Sequence, residues 1–308
     1  MIHAAIRMLA ASQNVDGGWG SRRGRQSATE PTAFALLALA HLGAGELSGA
    51  MARGTSWLEG QQRADGSWPA TVRVDEGGWP TSAAVLAMAA LAGNRPSALR
   101  GAGWLLTQPV YRESAIDALA RRLGRRRWDF GDLDPGLAGW PWVGSTASWV
   151  EPTAYALMAL KKLRPGRDPR WAQPRLGEAE AMLLNRTCRD GGWNYGNREV
   201  RGQALPAFPD VTAAALIALR DVLDPPVAAE SLGALERMLE QVRSGLSLGW
   251  GVLCLELYGV PAARHARALA RAWEATRFLG DTKTIALAVL ALSDGAAVFI
   301  APERARGG

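Results

Sequence analysis

The sequence is poor in the residues that build disulfide frameworks and metal centres. Its 308 residues include two cysteines, Cys188 and Cys254, and three histidines, His3, His41 and His265. Two cysteines exclude a disulfide framework and fit a reducing compartment, so we expect a cytoplasmic protein. So few imidazoles make a zinc centre an unfavourable interpretation, and we expect neither a metal nor a cofactor.

Long apolar runs are missing as well. The longest apolar stretch near the C-terminus, residues 285–301, is broken by Ser293, Asp294 and Gly295. No run reaches the ~20 residues that a membrane-spanning helix needs. The first eleven residues lead directly into a turn motif, so we do not interpret them as a signal peptide.

Lysine is nearly absent, although the formal net charge is +6. The lysines are Lys161, Lys162 and Lys283, and arginine supplies the other basic residues, most densely at residues 121–127. Scattered arginines without stacking aromatics are typical of a solvated surface, so we expect no nucleic-acid partner. A basic face resting on an anionic membrane is the alternative that this charge favours. The oligomeric state is left open.

What the chain does contain is a repeated turn. Asp-Gly-x-Trp ends at Trp19, Trp68 and Trp193, and the first two of these tryptophans lie 49 residues apart. A degraded copy ends at Trp250, and a Gly-Trp-Pro-Trp variant ends at Trp142. Glycine supplies the positive φ that such a turn needs, and a large indole can pack between neighbouring helices. We therefore expect these tryptophans to be buried scaffold residues.

Each turn is preceded by an amphipathic segment. It is followed by an Ala- and Leu-rich segment that is apolar on all sides. An all-round apolar helix must be buried, whereas an amphipathic helix covers it. Six such hairpins fill residues 1–308 as one domain, with an insertion at about 111–149 in the third unit. Because neither end is polar, we predict an all-α (α/α)6 toroid, closed with the apolar helices inside. The apolar segments are residues 31–39, 81–91, 152–160, 211–219, 248–257 and 283–292.

The Gln-x-x-Asp-Gly-Gly-Trp turn resembles the glutamine-tryptophan motif of squalene-hopene cyclases. The Thr-Ala-x-Ala-Leu pattern after it resembles the inner helices of those cyclases and of protein prenyltransferase β subunits. The resemblance covers essentially residues 1–295. It implies an (α/α)6 toroid with a central cavity and an isoprenoid or similar apolar substrate.

Acids stand where these cyclases carry their proton donor, at the start of an inner helix. The Asp-x-Asp-Asp motif itself is absent, but Glu30, Glu151 and Asp210 each lie two residues before a threonine. The resemblance implies catalytic roles for Glu151 and Asp210. For Glu30 we expect only helix capping, because an acid followed by Pro and Thr begins a helix well.

The loops before Glu151 and Asp210 are rich in aromatic and amide side chains. Loops of this kind often carry binding sites, although asparagines also form side-chain turns without binding anything. We predict that Glu151, Asp210, Trp149 and Tyr195 converge on one pocket. The predicted substrate-binding residues are Trp142, Trp149, Tyr155, Asn194, Tyr195 and Asn197.

Two metal-dependent alternatives have little support. The prenyltransferase zinc site uses an Asp-x-Cys pair, whereas Cys188 precedes Asp190 here and lies in a turn. Asp129, Asp132 and Asp134 lie beside an arginine run and suggest a magnesium-held diphosphate, but a solvated charged loop is the simpler interpretation.

Three functions remain open from the sequence. The first is a terpene cyclase-like enzyme with an inner-helix carboxyl as acid. Against it stand the missing Asp-x-Asp-Asp and a cavity wall that we expect to be mainly aliphatic, with a few rings such as Phe34, Tyr155 and Trp273. The second is a toroid that binds a lipid or peptide without chemistry. The third is a glycan-acting toroid with Glu30 and Glu151 as paired carboxylates, which requires a separation of about 5–9.5 Å.

Overall fold

The computed structural model describes residues 1–43, 45–92, 95–109, 136–144, 146–163, 171–200 and 202–301, with isolated positions between 110 and 135. The helical segments of these residues form six hairpins. They are α1 Ile2–Ala11, α2 Thr29–Leu42, α3 Ser48–Gly60, α4 Pro80–Ala92, α5 Pro96–Thr107, α6 Val150–Leu163, α7 Gln173–Asn185, α8 Pro209–Leu219, α9 Pro225–Gln241, α10 Gly245–Leu257, α11 Ala263–Thr276 and α12 Thr282–Ala291. A short antiparallel pair joins β1 Glu199–Val200 to β2 Gln203–Ala204.

The even-numbered helices form a closed inner ring. Each packs against the next, and α12 returns to pack against α2. The odd-numbered helices lie outside and cover the inner ones. In α2 and α8 the apolar residues are buried on every side, which is why these segments lack an amphipathic pattern. The predicted all-α toroid of six hairpins is therefore confirmed.

The repeated turn locks each outer helix to its inner partner through a tryptophan and a threonine. The backbone N–H of Trp68 donates to Thr81 Oγ1 at 2.9 Å, and its indole N–H donates to the Leu58 carbonyl at 2.7 Å. Trp19 and Trp193 make the equivalent pairs of bonds and, like Trp68, are fully buried. The expected scaffold role of these tryptophans is confirmed.

Two turn assignments from the sequence need correction. Trp140, rather than Trp142, is the locking tryptophan of the third hairpin, since it bonds to Thr153 Oγ1 and the Leu105 carbonyl. Trp250 lies inside α10 and not in a turn. In the sixth hairpin the turn is Arg277–Gly280, where Arg277, Phe278 and Leu279 all have φ near +50°.

Hydrogen bonds join neighbouring hairpins at one end of the ring. This is the end at which the inner helices begin, and we call it the turn end. Thr29 Oγ1 donates to the Pro69 carbonyl at 2.6 Å, linking the first hairpin to the second. Thr282 Oγ1 donates to the Gly20 carbonyl at 2.7 Å, linking the last hairpin to the first. The seam that closes the ring thus has the same chemistry as an internal seam.

Part of the predicted insertion lies outside the described residues. This applies to the arginine run at 121–127 and to Asp129, Asp132 and Asp134. The extent of the domain over residues 1–308 stays a prediction. None of the helices described is long and apolar enough to cross a membrane. In the same part of the chain no group of three or more His, Cys, Asp or Glu side chains is placed to hold a metal ion.

Candidate functional site

Aromatic side chains occupy the axis of the ring. Phe34 of α2, Tyr155 of α6 and Trp250 of α10 contact one another, with ring centroids 5.7–6.1 Å apart. These helices are alternate members of the inner ring, so their side chains can meet only across its centre. Phe299, from the 3₁₀ turn that follows α12, packs on Trp250 at 4.9 Å. All four rings are at most 2% exposed, so they fill the axis at this level.

We call the rings of Phe34, Tyr155, Trp250 and Phe299 the aromatic column. The expectation of a mainly aliphatic cavity wall is therefore wrong at this level of the axis. Phe34 and Tyr155 do face the axis, but Trp273 lies on the outer helix α11 and packs on Phe278 at 5.4 Å. Trp250 and Phe299 take part in the column instead. A surface of several rings can stabilise positive charge through its π electrons. The chemical argument against cation chemistry is therefore weaker than the composition suggested.

A charged layer lies directly on the turn-end side of these rings. Lys283, at the start of α12, places its ammonium 2.6 Å from Glu30 Oε1 and 3.4 Å from Glu151 Oε1. Its Nζ also lies 5.2 Å from the ring centroids of Phe34 and Tyr155, and the Tyr155 hydroxyl donates to Glu151 Oε1 at 3.0 Å. The expected capping-only role of Glu30 is wrong, because its carboxylate pairs with a lysine from the last hairpin.

Burial and charge pull the pKa of Glu151 in opposite directions. Burial raises the pKa, the Lys283 ammonium and the Tyr155 hydrogen bond lower it, and the negative charges of Glu30 and Asp210 raise it; the net effect is a pKa raised from the ordinary value of a glutamate. Burial alone lowers the pKa of Lys283, but Glu30, Tyr155 and Glu151 raise it well above its ordinary value. Lys283 therefore stays charged, and the Glu151 carboxyl holds a proton more readily than a free glutamate does.

Asp210 lies in the next hairpin and interacts with this layer. Its Oδ2 accepts a hydrogen bond from the Tyr195 hydroxyl at 3.1 Å. Burial, followed by the charges of Asp210 and Glu151, raises the pKa of Tyr195 above its ordinary value. The structure thus brings Glu151, Asp210 and Tyr195 into electrostatic contact. Their catalytic and binding roles stay predictions.

Three other predicted binding residues, Trp149, Asn194 and Asn197, make their contacts within or beside the loops that carry them. Trp149 is 39% exposed, and its ring packs against Gly196, where a β-carbon would approach it to 3.0 Å. Asn194 is buried; its amide bonds the Gly196 N–H and the Asn197 carbonyl. The Asn197 side chain accepts from Arg186. Asn194 therefore forms a side-chain turn, which was the alternative left open from the sequence, whereas the Asn197 side chain bonds Arg186.

Trp142 lies elsewhere, between the second and third hairpins. Its ring contacts Trp79 at 4.7 Å in an edge-to-face arrangement, beside Trp104 and Trp140. The slot that these tryptophans line has a volume of about 20 Å³, room for roughly one water molecule. Trp142 is therefore separated from the charged layer, and its geometry supports packing rather than substrate binding.

Lys283, Trp250 and Phe299 are site residues that sequence reasoning missed. Lys283 lies one residue before Thr284, whereas the three acids lie two residues before their threonines, so it has no place in an acid-based pattern. The signal that could have identified Lys283 is the rarity of lysine in this chain, since one of its three lysines lies at the start of an inner helix. Trp250 was missed because two flanking glycines suggested a turn.

Comparison with known proteins agrees with this architecture. The family model of the squalene-hopene cyclase C-terminal domain matches residues 1–81. No curated protein sequence matches the chain. The type II terpene cyclase MstE from Scytonema, solved with its substrate geranylgeranyl dihydroxybenzoate, has a TM-score of 0.65 at 17% identity, covering 96% of this chain and 97% of that one. In its complex with the product merosterolic acid A, the TM-score is 0.62 at 16% identity, with 96% of both chains covered.

A glycan-acting toroid is also similar. An α-1,6-mannanase from Salegentibacter, solved with α-1,6-mannotriose, has a TM-score of 0.57 at 10% identity, covering 97% of this chain and all of the other. Identities this low show the fold alone. The fold class is thus a helical toroid. Together with the match to residues 1–81, this fold confirms the predicted resemblance to the squalene-hopene cyclase-like toroid family.

Proposed function

We propose that the protein is a terpene cyclase-like enzyme that protonates a prenyl chain, with Glu151 as the proton donor. The observation that carries the proposal is the stacking of two layers on the axis: the buried Glu151 carboxyl lies directly over aromatic rings from three inner helices. A carboxyl whose pKa is raised by burial can deliver a proton to an alkene. The rings beneath can then stabilise the carbocation that forms.

The remaining polar groups have defined tasks in this scheme. The Lys283 ammonium neutralises Glu30 and so keeps the layer from accumulating negative charge. The Tyr155 hydroxyl orients the Glu151 carboxyl through the 3.0 Å hydrogen bond. Protonation of a terminal double bond consumes one proton, ring closure moves π electrons into new C–C bonds, and loss of a proton ends the reaction. The product is then an isomer of the substrate.

The substrate class follows from the same layers. An apolar chain fits a column of Phe, Tyr and Trp side chains, and the MstE complexes contain a geranylgeranyl-bearing substrate and its product. We therefore propose an isoprenoid or similar apolar molecule as substrate. Geranylgeranyl dihydroxybenzoate is the first compound to test, since a toroid of equal length binds it.

The test is product formation in deuterated water. We expect an isomeric product that carries one solvent deuterium on carbon, detected by mass spectrometry. Glu151→Gln should reduce the rate by about 10²–10⁴-fold, the usual contribution of general acid catalysis. Glu76→Gln, which changes an exposed carboxyl, is the matched control and should have no effect. Equal rates for Glu151→Gln and the parent protein would remove Glu151 as the donor.

A binding toroid without chemistry is the second candidate. One observation favours it: Lys283 pairs with both carboxylates, which leaves neither of them free of a counter-ion. This candidate predicts that apolar compounds copurify with the protein unchanged, and that prolonged incubation yields no isomer.

In the glycan-acting alternative, the two carboxylates of Glu30 and Glu151 lie at a suitable separation, but another group occupies the space between them. Contacts of 2.6 and 3.4 Å with one nitrogen hold Glu30 Oε1 and Glu151 Oε1 within about 6 Å of each other. Retaining glycosidases use a carboxyl separation of about 5–5.5 Å. However, the Lys283 ammonium fills the space in which the glycosidic oxygen would have to lie, so this geometry disfavours glycan cleavage.

We further propose that the turn end rests on an anionic membrane, from which an apolar substrate can enter. Most of the large exposed apolar side chains lie at this end. Among the described residues outside 110–135, those at the opposite end are Val222 and Val227. Exposed arginines, including Arg22, Arg23 and Arg73, lie in the same loops. Apolar and basic side chains together favour anionic lipid surfaces. The apolar residues of the turn end are Val15, Val72, Val74, Val143, Trp149, Leu205, Phe208 and Leu279.

Vesicle flotation tests this orientation. The protein should float with vesicles that contain phosphatidylglycerol and remain in solution with pure phosphatidylcholine. A double change, Val143→Asp and Leu279→Asp, should abolish flotation, because it buries charge in the interface. The matched change at the opposite end, Val222→Asp and Val227→Asp, should leave it intact. Equal loss in both variants would refute the proposed orientation.

A further inference from the structure

The segment after the last inner helix re-enters the ring from the end opposite the charged layer. Following α12 the chain reverses through Asp294, at φ +58°, and Gly295, whose N–H donates to the Leu290 carbonyl. The 3₁₀ turn Ala296–Phe299 then contacts α10 and α6. It places the Phe299 ring on Trp250 with 1% exposure. We call residues 296–300 the axial plug.

The axial plug is attached differently from the other rings of the column. Phe34, Tyr155 and Trp250 belong to inner helices, each of which packs against two neighbouring inner helices. The plug is a single short turn whose carbonyls are bonded by one side chain: Lys162 Nζ donates to Ile300 O at 3.0 Å and to Ala297 O at 3.4 Å. The least integrated segment of the described column therefore fills its far end.

Ring geometry explains why something must fill this place. Six helices packed side by side at about 8–10 Å leave a central space roughly as wide as one more helix. Three rings from alternate inner helices occupy the half below Glu151, and Phe299 occupies the next position along the axis. With all four rings at most 2% exposed, an apolar chain can extend along the axis only if one of them moves.

We propose that the axial plug is displaceable and that Phe299 occupies the position taken by the far end of a bound apolar chain. Phe299 then determines how long a chain the site accepts. The proposal rests on the proposed function in that it assumes an apolar ligand on the axis, but it requires no chemistry. Two independent features carry it: the place of Phe299 in the column and the attachment of the plug through Lys162.

The experiment measures binding of two probes, farnesol and the longer geranylgeraniol, to the intact protein by titration calorimetry. Phe299→Ala should bind geranylgeraniol about tenfold more tightly than the parent, since no plug ring must leave first. The gain for farnesol should be smaller, because its chain is shorter. Lys162→Met, which weakens the attachment without changing the column, should shift binding in the same direction. Val298→Ala, a partly exposed neighbour in the same turn, should change neither probe's affinity.

The outcomes separate this proposal from the proposed function. If Phe299→Ala and Lys162→Met bind both probes no more tightly than the parent, the plug does not compete with the ligand and the proposal is overturned. A crystal structure of the parent with geranylgeraniol on the axis and Phe299 still against Trp250 would overturn it too. Tight binding in Phe299→Ala without any isomeric product from geranylgeranyl dihydroxybenzoate supports the plug while contradicting the proposed chemistry.

Discussion

At the scale of single residues, the lysines of this chain are all used in the interior. Lys161 is 8% exposed and pairs with Glu180 and Asp221, Lys162 bonds the axial plug, and Lys283 lies between two carboxylates on the axis. Many of the arginines lie on the solvated surface, although Arg186 is buried and donates to the Gly196 carbonyl.

The first prediction concerns Lys283→Met. The pKa of Lys283 is raised well above its usual value, so its stabilising effect is fully present below pH ~10 and is lost as the pH rises through the raised pKa. At neutral pH its removal leaves two nearby carboxylates unneutralised, and we expect a loss of about 3–5 kcal/mol in the free energy of unfolding. Urea denaturation measures it.

The pH dependence of this loss is the sharper test. In Lys283→Met, protonation of one carboxyl relieves the repulsion, so the variant should be less destabilised at pH 5 than at pH 8. Glu30→Gln in the same chain should restore part of the stability at pH 8. Lys283→Arg keeps the charge and serves as the control. A loss that is the same at both pH values would show that the pairing contributes nothing.

At the scale of elements, the hairpin is a hydrogen-bonded unit that the sequence predicts well. The change from amphipathic to all-round apolar periodicity identified the outer and inner helices to within a few residues, because burial sets both patterns. The assignment failed at Trp250. Gly251 beside it permits α9 and α10 to approach, since a β-carbon there would lie 2.5 Å from Leu239 Cδ1. Glycine for close packing and glycine for a turn look alike in a sequence.

The second prediction concerns the lock within one hairpin. Thr81→Val keeps the shape of the side chain but leaves the buried N–H of Trp68 without its acceptor. An unsatisfied buried donor costs about 1–3 kcal/mol, so the unfolding free energy should fall by that amount. Thr81→Ser retains the oxygen and should lose less. If valine and serine prove equivalent in urea denaturation, the hydrogen bond is not what fixes the helix start.

At the scale of the whole molecule, closure of the ring creates the candidate site. The contact between Lys283 and Glu30 joins residues 253 positions apart, and the aromatic column joins three helices that are not neighbours. Neither contact leaves a local pattern, because only the closed ring brings these positions together. The acids could be proposed from their place at helix starts, whereas their lysine partner, the filled axis and Phe299 depend on tertiary geometry.

The last prediction tests closure itself. Thr29 and Thr282 donate to the carbonyls of Pro69 and Gly20, one across an internal seam and the other across the seam between the last and first hairpins. Because both seams are held by the same kind of bond, Thr29→Val and Thr282→Val should each cost about 1–3 kcal/mol by leaving a buried carbonyl unbonded. Because the two seams are separate, the double variant should show the sum to within about 0.5 kcal/mol. Thr107→Val, which removes an exposed bond to the Trp104 carbonyl, is the control and should cost far less. In an open array of hairpins the last seam would not exist, so a neutral Thr282→Val beside a destabilising Thr29→Val would contradict closure in solution.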